Sequence, residues 1–226
     1  GTLLMQTAEN RALITLAQCV EEGCPLVLCG AAGPMDIRTA VLAYGAPERS
    51  LLIAANNQIQ RFYGLPTHAA SIATSNWEPD IQTGAERMLI ILVRLMMQPN
   101  LWGGAGGLTS GKTLSLEQVV IDDYLLQMGR RLLSGVDTSE EKWAIEEIEE
   151  VGPGGSYLMS PLTLKLMRSD EMLSSPLANM EEERGASMRE RAQARAQEIL
   201  ASHRSPVPET VVEELRRYVE QRASGV

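Results

Sequence analysis

The stretch NLWGGAGGLTSGKTLSLEQVVIDDYLL, residues 100–126, decides the fold. It starts with a short apolar segment, Leu101 and Trp102, followed by glycines at 103, 104, 106 and 107. Apolar residues then recur at helical spacing over 114–125. Glycine permits a positive φ or a close backbone approach, and the first turn of a helix offers unpaired N–H groups to an anion. The stretch predicts a strand, a glycine-rich loop and a helix over 113–133.

The same stretch contains a phosphate-binding pattern. Gly106, Gly111, Lys112 and Thr113 match G-x-x-x-x-G-K-[ST], the P-loop of nucleotide-binding proteins. A P-loop protein also needs a strand ending in Asp or Glu to hold Mg²⁺. Asp122 and Asp123 instead fall on the predicted helix. We keep a P-loop over 106–113 as an alternative.

Composition limits the possible partners. The chain has 226 residues, 44% of them hydrophobic, which is enough for one domain with a core. The net charge of −9 disfavours binding to nucleic acid or to an anionic membrane. No signal peptide is recognised, and the longest apolar run, 88–97, is interrupted by Arg94 and too short to span a bilayer. We therefore expect a cytoplasmic protein, with homo-oligomerisation left open.

The three cysteines, Cys19, Cys24 and Cys29, lack a CxxC pattern and a nearby histidine in the sequence. Such spacing is poor for metal ligation, so they are interpreted as reduced, small apolar residues. We expect no metal site in this chain.

Two further strand–loop–helix cycles precede the opening stretch. Short apolar strands are predicted over 25–29 and 65–73, with helices over 5–22, 50–63 and 81–97. Repeated cycles of this length indicate an α/β fold with parallel strands, either a (β/α) barrel or a doubly wound sheet. In both, chemistry is located in the loops at the carboxyl ends of the strands.

The composition changes after residue 138. An acidic helix is predicted around 140–150, and further helices over 161–167, 180–203 and 208–223. We predict a partial barrel over 1–170 and a helical C-terminal extension over 171–226 that packs on it.

Several phrases occur in an order that identifies a family. They are MDIRT (35–39), YGAPE (44–48), YGLPT (63–67), PDIQTGAERML (79–89), GGLTSGKTLSLEQVVIDDYLL (106–126) and VGPGGSYLMSPLTLKLMR (151–168). Together they resemble the C-terminal half of the trimethylamine methyltransferase family, which includes glycine-betaine-type members. The resemblance covers nearly the whole chain.

The resemblance implies a TIM-type (β/α)8 barrel, of which this chain would supply the last three or four strands. It also implies methyl transfer from a methylated amine to the Co(I) of a corrinoid (cobalamin) carried by a partner protein, with no cofactor bound in the chain itself. The trimethylamine-specific members carry pyrrolysine, which is absent from the matching region, 68–76. This departure indicates the non-pyrrolysine branch, with quaternary, betaine-like substrates. An inactive truncated barrel fragment remains a further alternative.

Candidate substrate-binding residues follow from the chemistry. Aromatic faces bind a quaternary ammonium, and Trp77 and Trp102 lie at predicted strand ends, with Tyr44 and Tyr157 in loops. For each tryptophan, ordinary packing is the competing interpretation.

Polar candidates complete the predicted pocket. Arg38 can pair with a substrate carboxylate or with Asp36. Glu86 can face the pocket beyond a helix capped by Asp80, and His68 is either a core histidine or functional. Gly103, Gly104, Gly106 and Gly107 are predicted to give the corrinoid or substrate close access to the backbone.

Overall fold

The computed structural model describes residues 1–178, 185–204 and 206–223. Seven short strands and eight α-helices lie in this part of the chain. In order they are α1 (Thr2–Val20), β1 (Leu28–Gly30), β2 (Met35–Asp36), β3 (Val41–Leu42), α2 (Pro47–Phe62), β4 (Thr67–Ala69), α3 (Ile81–Met97), β5 (Leu101–Trp102), β6 (Gly107–Leu108), β7 (Thr113–Leu114), α4 (Leu116–Leu133), α5 (Ile145–Val151), α6 (Pro161–Leu166), α7 (Met188–Ser202) and α8 (Glu209–Ala223).

The principal sheet is parallel, with the order β1–β4–β5. Helices α2 and α3 connect its neighbouring strands, so the predicted α/β class with parallel strands is confirmed. The described residues form three strands in this sheet, and closure into a TIM barrel stays a prediction. Two antiparallel hairpins, β2–β3 and β6–β7, lie in the loops that follow β1 and β5.

The two faces of the sheet differ in burial. Thr67 and Ala69 of β4 are buried on the face covered by helices, and Trp102 pairs with Ala69 on that face. Cys29, His68 and Leu101 pair across the three strands, so their side chains lie on the opposite face, where Cys29 and Leu101 are exposed. We call this the open face. Alternation of side chains along each strand produces this division.

The core lies between the sheet and helices α3 and α4. Ile90 and Ile91 at the middle of α3 are fully buried and pack with Ile121 and Leu125 of α4. Helix α7 packs on α4, where the small side chain of buried Ala192 joins the same core cluster.

Several predicted boundaries need correction. Helix α4 begins at Leu116 rather than 113, because the Ser115 hydroxyl caps it by accepting a hydrogen bond from the Gln118 N–H. The acidic region is a 3-10 turn, Glu140–Lys142, followed by the short helix α5. Of the helix predicted over 180–203, residues 180–184 lie outside the described residues, and α7 begins at Met188.

Candidate functional site at the carboxyl ends of the parallel strands

The loop after β4 joins the loops on either side of it. Towards the loop after β1, the Tyr44 N–H donates to Ser75 Oγ at 3.0 Å. Towards the loop after β5, the Thr109 N–H donates to the Asn76 carbonyl and the Ser110 N–H to the Thr74 carbonyl, each at 2.8 Å. The three loops therefore form one hydrogen-bonded surface at the carboxyl edge of the sheet, where ligands bind in parallel α/β folds.

Glu86 lies at the junction of two of these loops. Its carboxylate accepts hydrogen bonds from the Thr74 hydroxyl and from Gln82 Nε2, the latter at 2.7 Å. A Cβ placed at Gly45 would lie 1.9 Å from Glu86 Oε2, so a larger residue at position 45 would displace this carboxylate. Asp80 caps α3 as predicted, because its carboxylate accepts the Thr83 N–H at 2.9 Å. Two loops and the first turn of α3 thus surround Glu86.

The predicted cation-binding residues do not converge on one point. Trp77 is 77% exposed in the loop after β4, and Tyr157 is also exposed. Tyr44 stacks against a guanidinium of the protein itself, with Arg49 Cζ 4.5 Å from the ring centroid. The Arg38 side chain is 91% exposed, with Nε 3.8 Å from Asp36 Oδ1. Tyr44 and Glu86 are the two candidates that the fold places next to each other, through Gly45.

Trp102 and His68 lie on opposite faces of the sheet. Trp102 packs against both apolar core clusters between sheet and helices. His68 is on the open face, where its Nδ1 lies 3.0 Å from Cys29 Sγ. The sequence separates this thiol from the imidazole by 39 residues, and parallel pairing brings them together. No histidine is near the cysteines in the sequence, but His68 is a neighbour of Cys29 in the fold.

Packing accounts for three of the four glycines predicted to contact the corrinoid. A Cβ at Gly104 would lie 2.2 Å from the Cβ of Ser71, and one at Gly106 would lie 2.5 Å from Val119 Cγ2. A Cβ at Gly107 would meet Ala73 at 3.3 Å. Around Gly103 a Cβ would meet nothing within 4 Å. Access to a bound group is thus open at Gly103, while its use by a corrinoid stays a prediction.

The P-loop pattern does not adopt a P-loop conformation. Residues 107–114 form the β6–β7 hairpin with a 3-10 turn, Thr109–Gly111, at its tip. Lys112 is exposed on this hairpin, and the Ser115 side chain already occupies the N-terminus of α4. A phosphate cradle requires the loop to run from a strand directly into the helix. This arrangement argues against the nucleotide-binding alternative.

Buried arginines are the residues that the sequence interpretation missed. Arg87, Ile90, Ile91 and Arg94 are all fully buried on α3. Their spacing of i, i+3, i+4 and i+7 marks one face of a helix, so two arginines on an apolar stripe were the available sequence evidence. Arg49, on the first turn of α2, is 2% exposed.

Arg87 has a carboxylate partner. Its guanidinium pairs with Asp122 of α4 and also donates to the Gly107 carbonyl. Asp122 additionally accepts the Gly106 N–H at 2.7 Å and Gln118 Nε2 at 2.8 Å. Burial raises the pKa of the Asp122 carboxyl, while Arg87 and the two other donors oppose this rise. The network fixes the glycine loop after β5 to α3 and α4.

Arg49 and Arg94 converge on one backbone oxygen at the end of β4. Arg94 Nη2 donates to the Ser71 carbonyl at 3.1 Å, and Arg49 Nη1 is 3.4 Å from the same oxygen. Arg94 also donates to the carbonyls of Ala70 and Ile90. Burial, reinforced by the charge of Arg49, lowers the pKa of Arg94 to about 9.

In the described ranges, no group of three or more His, Cys, Asp and Glu side chains is arranged to hold a metal ion. Among the helices of the described residues, none combines the length and apolar character needed to cross a membrane.

The parallel strands, their helical connections and the polar loops at their carboxyl ends define an α/β protein with its candidate site at the edge of the sheet. A family model described as trimethylamine methyltransferase (MTTB) matches residues 1–226, and the chain belongs to this family. The family resemblance seen in the ordered sequence phrases is thereby confirmed.

Individual relatives have related names. The chain is 35% identical over 175 residues to trimethylamine methyltransferase MttB1 of Methanosarcina mazei, covering 76% of this chain and 35% of the relative. It is 30% identical over 236 residues to glycine betaine methyltransferase of Desulfitobacterium hafniense (strain Y51), covering 100% of this chain and 48% of the relative. Trimethylamine methyltransferase MttB of Desulfitobacterium hafniense (strain DSM 10664 / DCB-2) is 27% identical over 98% of this chain and 46% of the relative. The chain thus spans less than half the length of these relatives.

Proposed function

We propose that this chain carries part of a methyltransferase that moves a methyl group from a methylated amine, quaternary and betaine-like, to the corrinoid of a partner protein. The observation that carries the proposal is the family match over residues 1–226, together with a glycine betaine methyltransferase that aligns with 100% of the chain. The absence of pyrrolysine from 68–76 supports the choice of a quaternary amine.

A quaternary ammonium leaves as a neutral amine, so the protein need not protonate it. It must hold a cation, orient one methyl group and exclude water. Tyr44 and Glu86 flank Gly45 at the loop junction, where an aromatic face and a carboxylate both favour a positive charge. Trp77, exposed in the neighbouring loop, can add a second aromatic face.

The corrinoid, brought by the partner, supplies the methyl acceptor. Gly103 is the residue of this chain that best fits its approach, because open space surrounds the position of its missing side chain at the carboxyl end of β5. The rest of the glycine loop is held rigidly by Arg87 and Asp122, which keeps Gly103 at a fixed position relative to β4.

Calorimetric titration of the 226-residue chain with glycine betaine, trimethylamine and ATP–Mg²⁺ tests the proposal. We expect heat from glycine betaine that Glu86→Gln and Tyr44→Ala reduce, and none from ATP–Mg²⁺. Methyl transfer is then followed by the absorbance change of an added corrinoid protein in the Co(I) state.

Two results would contradict the proposal. ATP–Mg²⁺ binding abolished by Lys112→Ala would restore the P-loop interpretation. The absence of binding heat with all three ligands would favour an inactive fragment. Lys112→Ala also serves as the surface variant, since the Lys112 side chain is exposed and Glu86 takes its hydrogen bonds from Thr74 and Gln82, so betaine binding is expected to remain unchanged.

A further inference from the structure

Arg49 and Arg94 are two buried cations, each about 2% exposed or less. Across residues 1–178, 185–204 and 206–223, no carboxylate lies within 4.0 Å of either guanidinium. Arg87, which is buried to the same extent, pairs with Asp122. Burying a charge is costly unless it is paired and hydrogen-bonded, so this pair of arginines needs an explanation.

The hydrogen-bond donors of Arg94 are paired with backbone carbonyls, whereas those of Arg49 are only partly paired. Arg94 donates from Nε, Nη1 and Nη2 to carbonyls of Ala70, Ser71 and Ile90. Arg49 has one long hydrogen bond, to Ser71, and its buried Nε–H has no partner in the described part of the chain. An unpaired, almost fully buried N–H beside a second cation is the arrangement that an oxyanion would complete.

The Cys29 thiol is a neighbour of both guanidinium groups. Both interact electrostatically with the thiol, which is exposed on the open face at the carboxyl end of β1. Burial raises the pKa of Cys29 against the opposing effect of the two arginines. The thiol is therefore the neutral neighbour of this positive region and not its counter-ion.

We propose that Arg49, supported by Arg94, binds an oxyanion at the carboxyl ends of β1 and β4. The ligand chemistry is a carboxylate or phosphate oxygen that accepts the Arg49 Nε–H. If the proposed function holds, the carboxylate of a betaine-like substrate is the natural source, because Tyr44 stacks on Arg49 and adjoins Glu86 through Gly45. The anion would then lie on the Arg49 side of Tyr44 and the ammonium on the Glu86 side. This assignment of the ligand, but not the anion site itself, rests on the proposed function.

Arg38, the arginine first considered for this role, is less suited to it. Its side chain is 91% exposed and already lies beside Asp36, so water and a carboxylate both compete with a ligand. Arg49 is 2% exposed and has no such competitor. The difference also makes Arg38 a matched control, since its substitution removes the same charge from an exposed position.

The experiment compares four probes on the 226-residue chain. Glycine betaine, choline, acetate and inorganic phosphate are titrated by calorimetry into the wild type, Arg49→Met and Arg38→Met. We expect Arg49→Met to weaken acetate and betaine at least about tenfold, the loss expected for a charge-assisted hydrogen bond. Arg38→Met is expected to leave both affinities unchanged. Unchanged binding in Arg49→Met, or equal weakening in both variants, overturns the proposal.

A second measurement does not depend on the stability of a variant. In the wild type, the ¹H–¹⁵N resonance of Arg49 Nε is expected to shift on addition of acetate or phosphate and to remain unshifted with choline. The absence of any shift with all anions overturns the proposal.

The probes also separate the two sources of the anion. Betaine binding more tightly than acetate indicates a substrate carboxylate, and phosphate binding most tightly indicates a phosphate group. Anion binding without methyl transfer contradicts the proposed function and leaves the anion site standing.

Discussion

Arg87 of α3 and Asp122 of α4 form an ion pair whose side chains are 0% and 2% exposed. Each partner also holds the glycine loop, Arg87 through the Gly107 carbonyl and Asp122 through the Gly106 N–H. The pair thus couples the packing of two helices to the loop at the end of β5. A buried pair of this kind is costly to break because one charge stays buried without its partner.

Replacing Arg87 by methionine is expected to lower the free energy of unfolding by about 3–5 kcal/mol, since the Asp122 carboxylate would remain buried and lose its counter-ion. Urea unfolding followed by circular dichroism measures the loss. Arg38→Met, which removes a guanidinium that is exposed, is expected to change stability by less than about 0.5 kcal/mol. Similar losses in the two variants would show that the ion pair does not organise the loop.

Gly104 and Gly103 are adjacent but should respond differently to alanine. Gly104 has a φ of +84°, and its new Cβ would collide with Ser71, so Gly104→Ala is expected to cost at least about 1–3 kcal/mol. Gly103 has open space around the same atom, and Gly103→Ala is expected to alter stability by no more than about 1 kcal/mol. Thermal unfolding of both variants distinguishes them. A stable Gly103→Ala variant that loses methyl transfer would support corrinoid access at this residue, and full activity would argue against it.

Of the two tryptophans predicted for the cation pocket, Trp102 is expected to stabilise the fold and Trp77 is not. Trp102→Ala is expected to lower the free energy of unfolding by about 2–4 kcal/mol, because the ring packs against both core clusters. Trp77→Ala is expected to change it by less than about 0.5 kcal/mol. Chemical denaturation gives both values. Calorimetry on the same variants then tests ligand binding, and betaine affinity unaffected by Trp77→Ala would remove Trp77 from the pocket.

Asp80 should make the stability of α3 depend on pH. The Thr83 N–H lowers the pKa of Asp80 below its ordinary value of 3.8, against the opposing effect of burial and with help from the Asn76 and Thr83 side chains. A carboxyl group whose pKa is lower in the folded state stabilises the fold above its unfolded pKa, and this contribution is lost as pH falls through the folded value.

The urea midpoint of the wild type is therefore expected to exceed that of Asp80→Asn at pH 7, with the difference shrinking below about pH 3.8. Asparagine still caps the helix but does not titrate. Asp80→Ser, another uncharged cap, is expected to show the same pH-dependent difference. A difference that stays constant from pH 7 to pH 3 would contradict this role.

The sequence alone determined the local elements where periodicity and capping were unambiguous. Helix α3 was predicted over 81–97, the residues it occupies, because Asp80 begins it and its apolar spacing is regular. Strand β5 was likewise placed at Leu101 and Trp102. The P-loop alternative could not be judged from its sequence pattern. The matching glycines lie in a hairpin, and the pattern does not show whether the chain reverses direction before the helix begins.

Tertiary structure alone decided which of the candidate residues meet. Parallel pairing places His68 beside Cys29 and puts Trp102 on the opposite face, and neither relation follows from positions so far apart in the chain. Packing also buries Arg49 and Arg94, which have no carboxylate within 4.0 Å in the described part of the chain, while Arg38, the stronger candidate by sequence, remains in solvent. The physical reason is that periodicity and capping act within a few residues, whereas burial and charge pairing depend on which segments the fold brings together.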